Sequence, residues 1–542
     1  MASLGCAPVP LVSSRSAVRS AKKTELGKVT SALQAPPLFS TSTEPRTSLQ
    51  SPTTIIATQT HPWKNPWFRG DLLMEARVRE PEATTPASTD VLGHPRGLAY
   101  LVFAEAWERF SYYGMQALLV LYMGQQLLLP GHVEHVAGFA TFRTWIEQVY
   151  GPLSSAALAS VIFGLYAGGV YLTPLAGGFI ADRFLGRTVT VTIGAVLMVA
   201  GHLLMAFEIS FLVALTCLLL GVGCFKGNIA TQVGELYGPG DLRRADAFQI
   251  YFLGINVAVI VSPLVCGTLG QKVAWHWGFG AAGVGMLVGL AVYLSGRRWL
   301  PASAPRGRDG PRKRPRLSRG DWSKVFLLLA LLPVLALSEL GNQQVFNAYL
   351  VWGDARFART FFGFEAPVTW LLSVDAIMAM AMIVLWVAFW RVWSRRRREP
   401  DEIVKLAIGG AISALAPLLL ALGSMRAAAT GEKVSLAWGL GFQLVNDLGY
   451  ALLFPIGLAL YSRASPRAIG GLMIGVYYLH LFLANMAVGR LGGLLETLGG
   501  APFWLLHSGL MAVGCAILVA FAVAFRPVLA PTGSQEEQPA AD

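Results

Sequence analysis

Twelve apolar runs of about 20 residues or more follow one another between Leu98 and Phe525, a pattern that no water-soluble fold accommodates. A helix of about that length crosses ~30 Å of hydrocarbon. The runs fall at 97–124, 155–181, 188–207, 209–234, 246–270, 276–299, 324–351, 367–391, 402–424, 434–461, 468–493 and 503–526. In lipid the backbone must satisfy its own hydrogen bonds, so the runs read as helices, and the Gly and Pro inside many of them are tolerated there. Hydrophobic residues make up 54% of the 542 and charged residues only 14%, against about 25% charged in a soluble domain. The expected fold class is therefore all-α integral membrane, with twelve transmembrane helices. The cysteines Cys6, Cys217, Cys224, Cys266 and Cys515 form no CxxC pair. They read as reduced packing residues, with neither metal nor disulfide chemistry expected.

The formal net charge of +12 would suggest a nucleic-acid partner in a soluble protein. Here the basic residues lie mainly between the runs, so the charge describes membrane topology and no nucleic acid is expected. With the N-terminus in the cytoplasm, the inner loops hold Arg183 and Arg187, Arg243 and Arg244, the run Arg312 to Arg319, Arg395 to Arg398, and Arg463 with Arg467. The outer loops hold scattered cations such as Lys272, Arg356 and Lys433. The bias is roughly three to one in the sense of the positive-inside rule, which places both termini in the cytoplasm. Residues 1–95 are rich in Ser, Thr, Pro and Ala and lack a long apolar run, so they read as a disordered N-terminal extension. An acid-poor, Arg- and Ser-rich start is compatible with an organelle transit peptide. An upstream extension ahead of Met74 is the preferred reading. The remaining divisions are a six-helix half at 96–299, a basic cytoplasmic linker at 300–323, a second six-helix half at 324–526 and a tail at 527–542. Two six-helix halves on a cytoplasmic linker is the layout of major-facilitator transporters, whose substrate sites lie near the midplane between the halves.

A charge at the centre of a spanning helix costs about 2.5–3.5 kcal/mol on insertion scales, so each one asks for a function. The first run carries Glu105, Glu108 and Arg109, followed by Tyr112 and Tyr113. Offsets of three and four place these along one helix face. Two carboxylates beside a guanidinium can exchange an ion-pair partner for a proton, which is the chemistry of proton coupling. A buried ion pair that only locks helix packing is the competing explanation, and three charges within five residues argue against it. Lys226 lies two turns inside the fourth run, too deep for simple snorkelling. Three further carboxylates fall within runs of the second half: Glu339, Asp375 and Asp447. His202, His480 and His507 also lie in runs and read as hydrogen-bonded core residues. HExxH, GxSxG and GxxxxGK[ST] are all missing from the sequence, so no enzyme activity, catalytic residue, metal or cofactor is expected, and protons are the coupling ion.

The string EAWERFSYYGM (105 onward, after Ala104) resembles the E-x-x-E-R-F-x-Y-Y-G motif of the proton-coupled oligopeptide transporter family. The resemblance continues through GGFIADRFLGR at 177–187, GVGCFKGN at 221–228, YFLGIN at 251–256 and WHWGFGAAGVGM at 275–286. It covers essentially residues 94–526 and is strongest in the first half. It implies a proton-driven symporter importing di- or tripeptides across the plasma membrane (the inner membrane of a bacterium), monomeric, with small peptides, protons and the lipid bilayer as its partners. By position, Glu105, Glu108, Arg109 and Lys226 correspond to the proton-coupling set. Arg109, Tyr112, Tyr113, Tyr171, Lys226 and Asn256 correspond to substrate-facing positions. GGFIADR also resembles the major-facilitator loop signature, which makes Asp182, Arg183 and Arg187 the conformational loop.

The second half departs from the family. In NQQVFNAYLVW (342–352), Gln343 stands near the position of the family's acid, with Glu339 one turn earlier. The family's G-E-L-L-L-x-P becomes GYALLFP at 449–455, so Tyr450 replaces the glutamate expected to receive a peptide's amino group, and Asp447 lies one turn before it. Asp375 is the first candidate to take over that role, because a zwitterionic ligand held by Arg109 and Lys226 needs an opposing negative pole. The alternative is a proton-coupled symporter of the same family for another small solute, such as nitrate, an amino acid or a modified peptide, since an anion needs no amine receptor.

Overall fold

The computed structural model describes residues 90–238, 240–301, 317–466 and 468–529. Most of the expected extension (1–89), most of the linker (302–316), Arg467 and residues 530–542 lie outside the described residues. The spanning helices are α1 Arg96–Tyr122, α2 Ser155–Ile180, α3 Arg187–Leu204, α4 Phe211–Glu235, α5 Arg243–Thr268 and α6 Trp275–Gly296 in the first half. In the second half, α7 is broken into Arg319–Ser338, Leu340–Gln344 and Ala348–Arg356. It is followed by α8 Trp370–Trp393, α9 Glu402–Thr430, α10 Leu436–Ala464, α11 as Gly470–Tyr477 and Leu479–Gly492, and α12 Gly500–Leu529. Eleven of these are long and apolar enough to cross a bilayer on composition alone. The twelfth is α1, equally long at 27 residues, which carries Glu105, Glu108 and Arg109 along its length.

The boundaries correct the sequence reading in three places. Residues 90–95 belong to a two-residue β hairpin pairing Asp90–Val91 with His94–Pro95, held in part by Arg243. Residues 319–323 are helical and not linker, because the Ser318 hydroxyl accepts from Asp321 N at 3.1 Å while the Asp321 carboxylate accepts from Ser318 N at 2.9 Å. This reciprocal capping box fixes the start of α7. The seventh run is not one helix. It breaks at Glu339 and again near Asn347 (φ −124°, ψ −102°), where a Gly- and Asn-containing polar stretch has weak helix propensity.

Within the first half, α1 packs on α5 and α6, and α3 on α4 and α6; in the second, α9 packs on α10 and α12. Across the interface, α2 meets α11 and α5 meets α8. All hydrogen bonds recorded between the halves among the described residues lie toward the end where α1 finishes. Gln125 Nε2 donates to Asp354 Oδ2 at 2.8 Å, Ser160 Oγ to Asn347 Oδ1 at 3.2 Å, Trp370 Nε1 to Thr268 Oγ1 at 2.8 Å and Ser373 Oγ to Ile260 O at 2.6 Å. Backbones touch there as well. A Cβ added to Gly164 of α2 would stand 2.5 Å from Asn485 O and 2.7 Å from Gly489 Cα of α11. Small residues allow this approach, as is usual for helices packing in lipid. This end is the closed face. At mid-depth Tyr171, Lys226, Asn256 and Tyr450 keep part of their surface accessible, and toward the face where α1 begins no hydrogen bond between the halves is recorded among the described residues.

Asp354, at the end of α7, was not singled out by the sequence. It accepts from Gln125, and at 3.5 Å from Gln271, both of the first half, and is fixed by Arg359 Nη2 at 2.8 Å. Hydrogen bonds to a charged group contribute about 1.5–3 kcal/mol each. Asp354→Ala is therefore expected to favour opening of the closed face about tenfold or more. Spin labels at the exposed positions Leu129 and Phe362 would report it as a new, longer distance; an unchanged distribution contradicts this role for Asp354.

Candidate functional site

The middle of α1 is buried among α5, α6 and the cavity wall, and its three charges settle on one another. Arg109 Nε donates to Glu105 Oε1 at 2.8 Å and lies 2.9 Å from Glu108 Oε2. All three side chains are buried: Glu105 is 2% exposed, Glu108 0% and Arg109 4%. The match is incomplete. Both Glu108 oxygens, Glu105 Oε2 and Arg109 Nη2 lack a hydrogen-bond partner. Lys226 of α4 is close enough to act electrostatically on Glu108, Glu105 and Arg109, and its Nζ sits 4.8 Å from the centre of the Tyr171 ring. The cluster thus sets two carboxylates against two cations. Unpaired charge in such a place is costly, about 3–5 kcal/mol when one partner of a buried pair is removed.

The expected aromatic residues surround this cluster. The Tyr112 ring lies 5.8 Å from Arg109 Cζ and stands edge-on to Tyr113 at 5.1 Å. Tyr113 reaches Phe346 of the second half, with ring centres 6.2 Å apart. Tyr251 of α5 is buried beside Glu105 and Arg109. Asn256 spends its amide on its own helix, donating to Phe252 O at 2.8 Å.

Across the cavity, Glu339 occupies the first break of α7, 1% exposed, with neither oxygen hydrogen-bonded. Its neighbours include Tyr171 of α2, Tyr450 of α10 and Tyr477 of α11. Tyr450 stacks on Phe454, ring centres 5.6 Å apart, and itself faces Tyr171 and Tyr113. Gln343 accepts from Asn485 Nδ2 at 2.9 Å. Glu339 therefore joins the tyrosines that face α1 and α2.

Asp375 and Asp447 are brought together elsewhere. Gln443 Nε2 of α10 donates to Leu371 O of α8 at 2.9 Å, and one turn further along each of these parallel helices come Asp447 and Asp375. They are buried, act on each other and on Tyr349, and have no recorded contact with Arg109, Lys226 or the cavity tyrosines. The structure thus brings Glu339, not Asp375, to the group opposite Arg109. His480 is buried and hydrogen-bonded through Nδ1 to Tyr477 O, in keeping with a core histidine, and its Nε2 also stands 3.4 Å from Glu339 Oε1. His507 does fit the core reading, with Gln344 Nε2 2.9 Å from its Nε2 and Phe503 O 2.9 Å from its Nδ1. At the face opposite the closed one, Arg187 binds Asp182 at 2.8 Å and also Glu235 at the end of α4, tying the α2–α3 turn to that helix, while Arg183 is exposed.

The family model for PTR2, the POT family, matches residues 188–315 and 322–498. The peptide transporter YePEPT of Yersinia enterocolitica is 27% identical over 525 residues, covering 83% of this chain and 98% of that protein. A di-/tripeptide transporter of Lactococcus lactis is 28% identical over 454 residues, covering 71% of this chain and 87% of the relative. The crystal structure of the peptide transporter POT in complex with sulfate superposes with a TM-score of 0.69 at 25% identity, over 80% of this chain and 96% of that one. These matches are transporters and not enzymes. With the twelve-helix, two-half architecture and the α1 charge cluster, they establish that the chain is a multi-pass membrane transporter of the major-facilitator fold and belongs to the POT family.

Proposed function

We propose that this chain is a proton-driven symporter importing di- and tripeptides across the plasma membrane by alternating access. The observation that carries the reading is the buried set Glu105, Glu108, Arg109 and Lys226, two acids against two cations at the cavity wall. If a substrate carboxylate takes Lys226, one acid loses its counter-charge, and in a low-dielectric site that acid is stabilised by taking a proton. Anionic group and proton then enter together. Positive-inside loop charge puts both termini in the cytoplasm, which makes the face opposite the closed one cytoplasmic. The POT relatives described above are named as peptide and di-/tripeptide transporters, and the amine pole of a peptide would fall toward Glu339.

Tyr450, where a carboxylate is expected on α10, favours a second reading: the same machine carrying a solute without an amine, such as nitrate. Uptake into proteoliposomes under an inward acid gradient, with dialanine, trialanine, alanine and nitrate compared, separates the two. The peptide reading expects both peptides to accumulate while alanine and nitrate do not. Accumulation of nitrate without peptide uptake would overturn it.

A further inference from the structure

The end of α8 and the turn after it carry five arginines within eight residues, Arg391 and Arg395 to Arg398, and all five are exposed. Acids follow directly, but each is taken by another cation. Glu399 pairs with Lys405, Asp401 with Arg526, and Glu402 with Arg463 at 2.7 Å. Asp401 also caps α9, accepting from Val404 N at 3.1 Å. Among the described residues none of the five arginines forms an ion pair. Arg397 lies over the Trp393 ring, 5.4 Å from Cζ to its centre. Membrane topology needs only an excess of cations on this side. It does not require that they be grouped, or that the neighbouring acids be spent elsewhere.

The helix leading to this cluster has one side on protein and one on lipid. Trp386 Nε1 donates to Leu448 O of α10 at 2.8 Å, Trp386 stacks on Trp390 with ring centres 5.7 Å apart, and Lys405 of α9 covers Trp390 at 4.7 Å. Ile377, Val384 and Arg391 recur every seven residues, with Val387 between the last two, so they share another face. On that face Ile377 is 50% exposed, Val384 67% and Val387 56%. Arg395 extends the face by one more turn, its N still bonded to Val392 O. The result is a strip about 20 Å long, apolar along its length and cationic at its end. One leaflet holds ~15 Å of hydrocarbon, so a phospholipid matches the strip in length and in polarity.

We propose that this strip is a binding site for an anionic phospholipid, its acyl chain along Ile377, Val384 and Val387 and its phosphate among Arg391 and Arg395 to Arg398. Guanidinium groups hold phosphate oxygens in pairs, and a group of them favours a headgroup with net negative charge. Phosphatidylcholine offers the same phosphate but brings a quaternary ammonium into a cluster already short of acids. The site depends on the membrane-spanning architecture and not on which solute is carried.

Native mass spectrometry of the full chain in detergent, titrated with palmitoyl-oleoyl phosphatidylglycerol or the phosphatidylcholine of the same chains, reads the two affinities. A basic residue near an anionic headgroup contributes about fivefold, so the wild type is expected to favour phosphatidylglycerol by about tenfold or more. In Arg391→Gln/Arg395→Gln that preference is expected to fall by about tenfold. Arg183→Gln/Arg297→Gln removes the same charge from exposed positions in two other turns on this side of the membrane, and should keep the preference within about twofold. Equal losses in the two double variants would reduce the effect to net charge and overturn the proposal. A wild type without preference overturns it with no variant needed. Millimolar inorganic phosphate is expected to leave lipid binding unchanged; displacement of the lipid by phosphate would make this a site for the free anion and overturn the lipid assignment.

Discussion

Glu108→Gln is expected to abolish accumulation of substrate driven by a pH gradient while leaving substrate exchange across the membrane in place. The amide fills the same volume and resembles the protonated acid, so the helix packing around α1 is retained. What is lost is the ability to change charge. Wild-type Glu108 lies 2.9 Å from Arg109 Nε, has no hydrogen bond to either oxygen and feels both Arg109 and Lys226. It is therefore the member of the cluster freest to change partner. One coupled proton supplies about 1.4 kcal/mol per pH unit, or a tenfold accumulation ratio. The variant should equilibrate dialanine to a ratio near one at any imposed gradient, with exchange of labelled for unlabelled dialanine within about threefold of wild type. Gradient-driven accumulation by Glu108→Gln would remove this residue from the coupling reaction.

The second large effect is steric. Gly164→Val should trap the protein with its closed face held apart. The added Cβ would meet Asn485 O at 2.5 Å, Gly489 Cα at 2.7 Å and Gly489 N at 2.9 Å, all backbone atoms of α11 that no rotamer change can move. Overpacking of this kind costs about 1–3 kcal/mol, enough to shift a two-state equilibrium by roughly fivefold to over a hundredfold. The cost falls on the closed state alone, because α2 and α11 touch there and must part when the cavity opens on that side. Transport should drop by about tenfold or more, and spin labels at Leu129 and Phe362 should move apart. Gly280→Ala on α6 is the control: nothing lies within 4 Å of its added Cβ, so wild-type transport is expected. Normal transport by Gly164→Val would mean that this contact is not part of the cycle.

The sequence reveals most where lipid makes a residue costly. Three charges in the middle of α1 have no cheap explanation in a bilayer, and they form one cluster in the structure. The same logic flagged Glu339, Asp375 and Asp447, but cost alone cannot say which carboxylates share a wall. That depends on helix register, as the Gln443–Leu371 bond shows for Asp447 and Asp375. The contact between His480 and Glu339 is hidden for a related reason: a lone histidine in an apolar run carries no periodic signal, and Glu339 is far away in sequence. The closed face was nearly invisible, since it is made of glycines, small hydroxyls and loop-end polar residues such as Asp354, which are ordinary in composition. The break in α7 left a trace in the run Gly341-Asn342-Gln343-Gln344, although apolar content on either side made it look continuous.

The most direct measurement is simultaneous recording of proton entry and labelled dialanine entry in proteoliposomes containing the wild-type protein. Protons are expected to enter only when dialanine is present, in fixed ratio to it, and Glu108→Gln is expected to lose the proton flux while retaining exchange. Dialanine entry without protons, or proton entry that nitrate stimulates and dialanine does not, would contradict it.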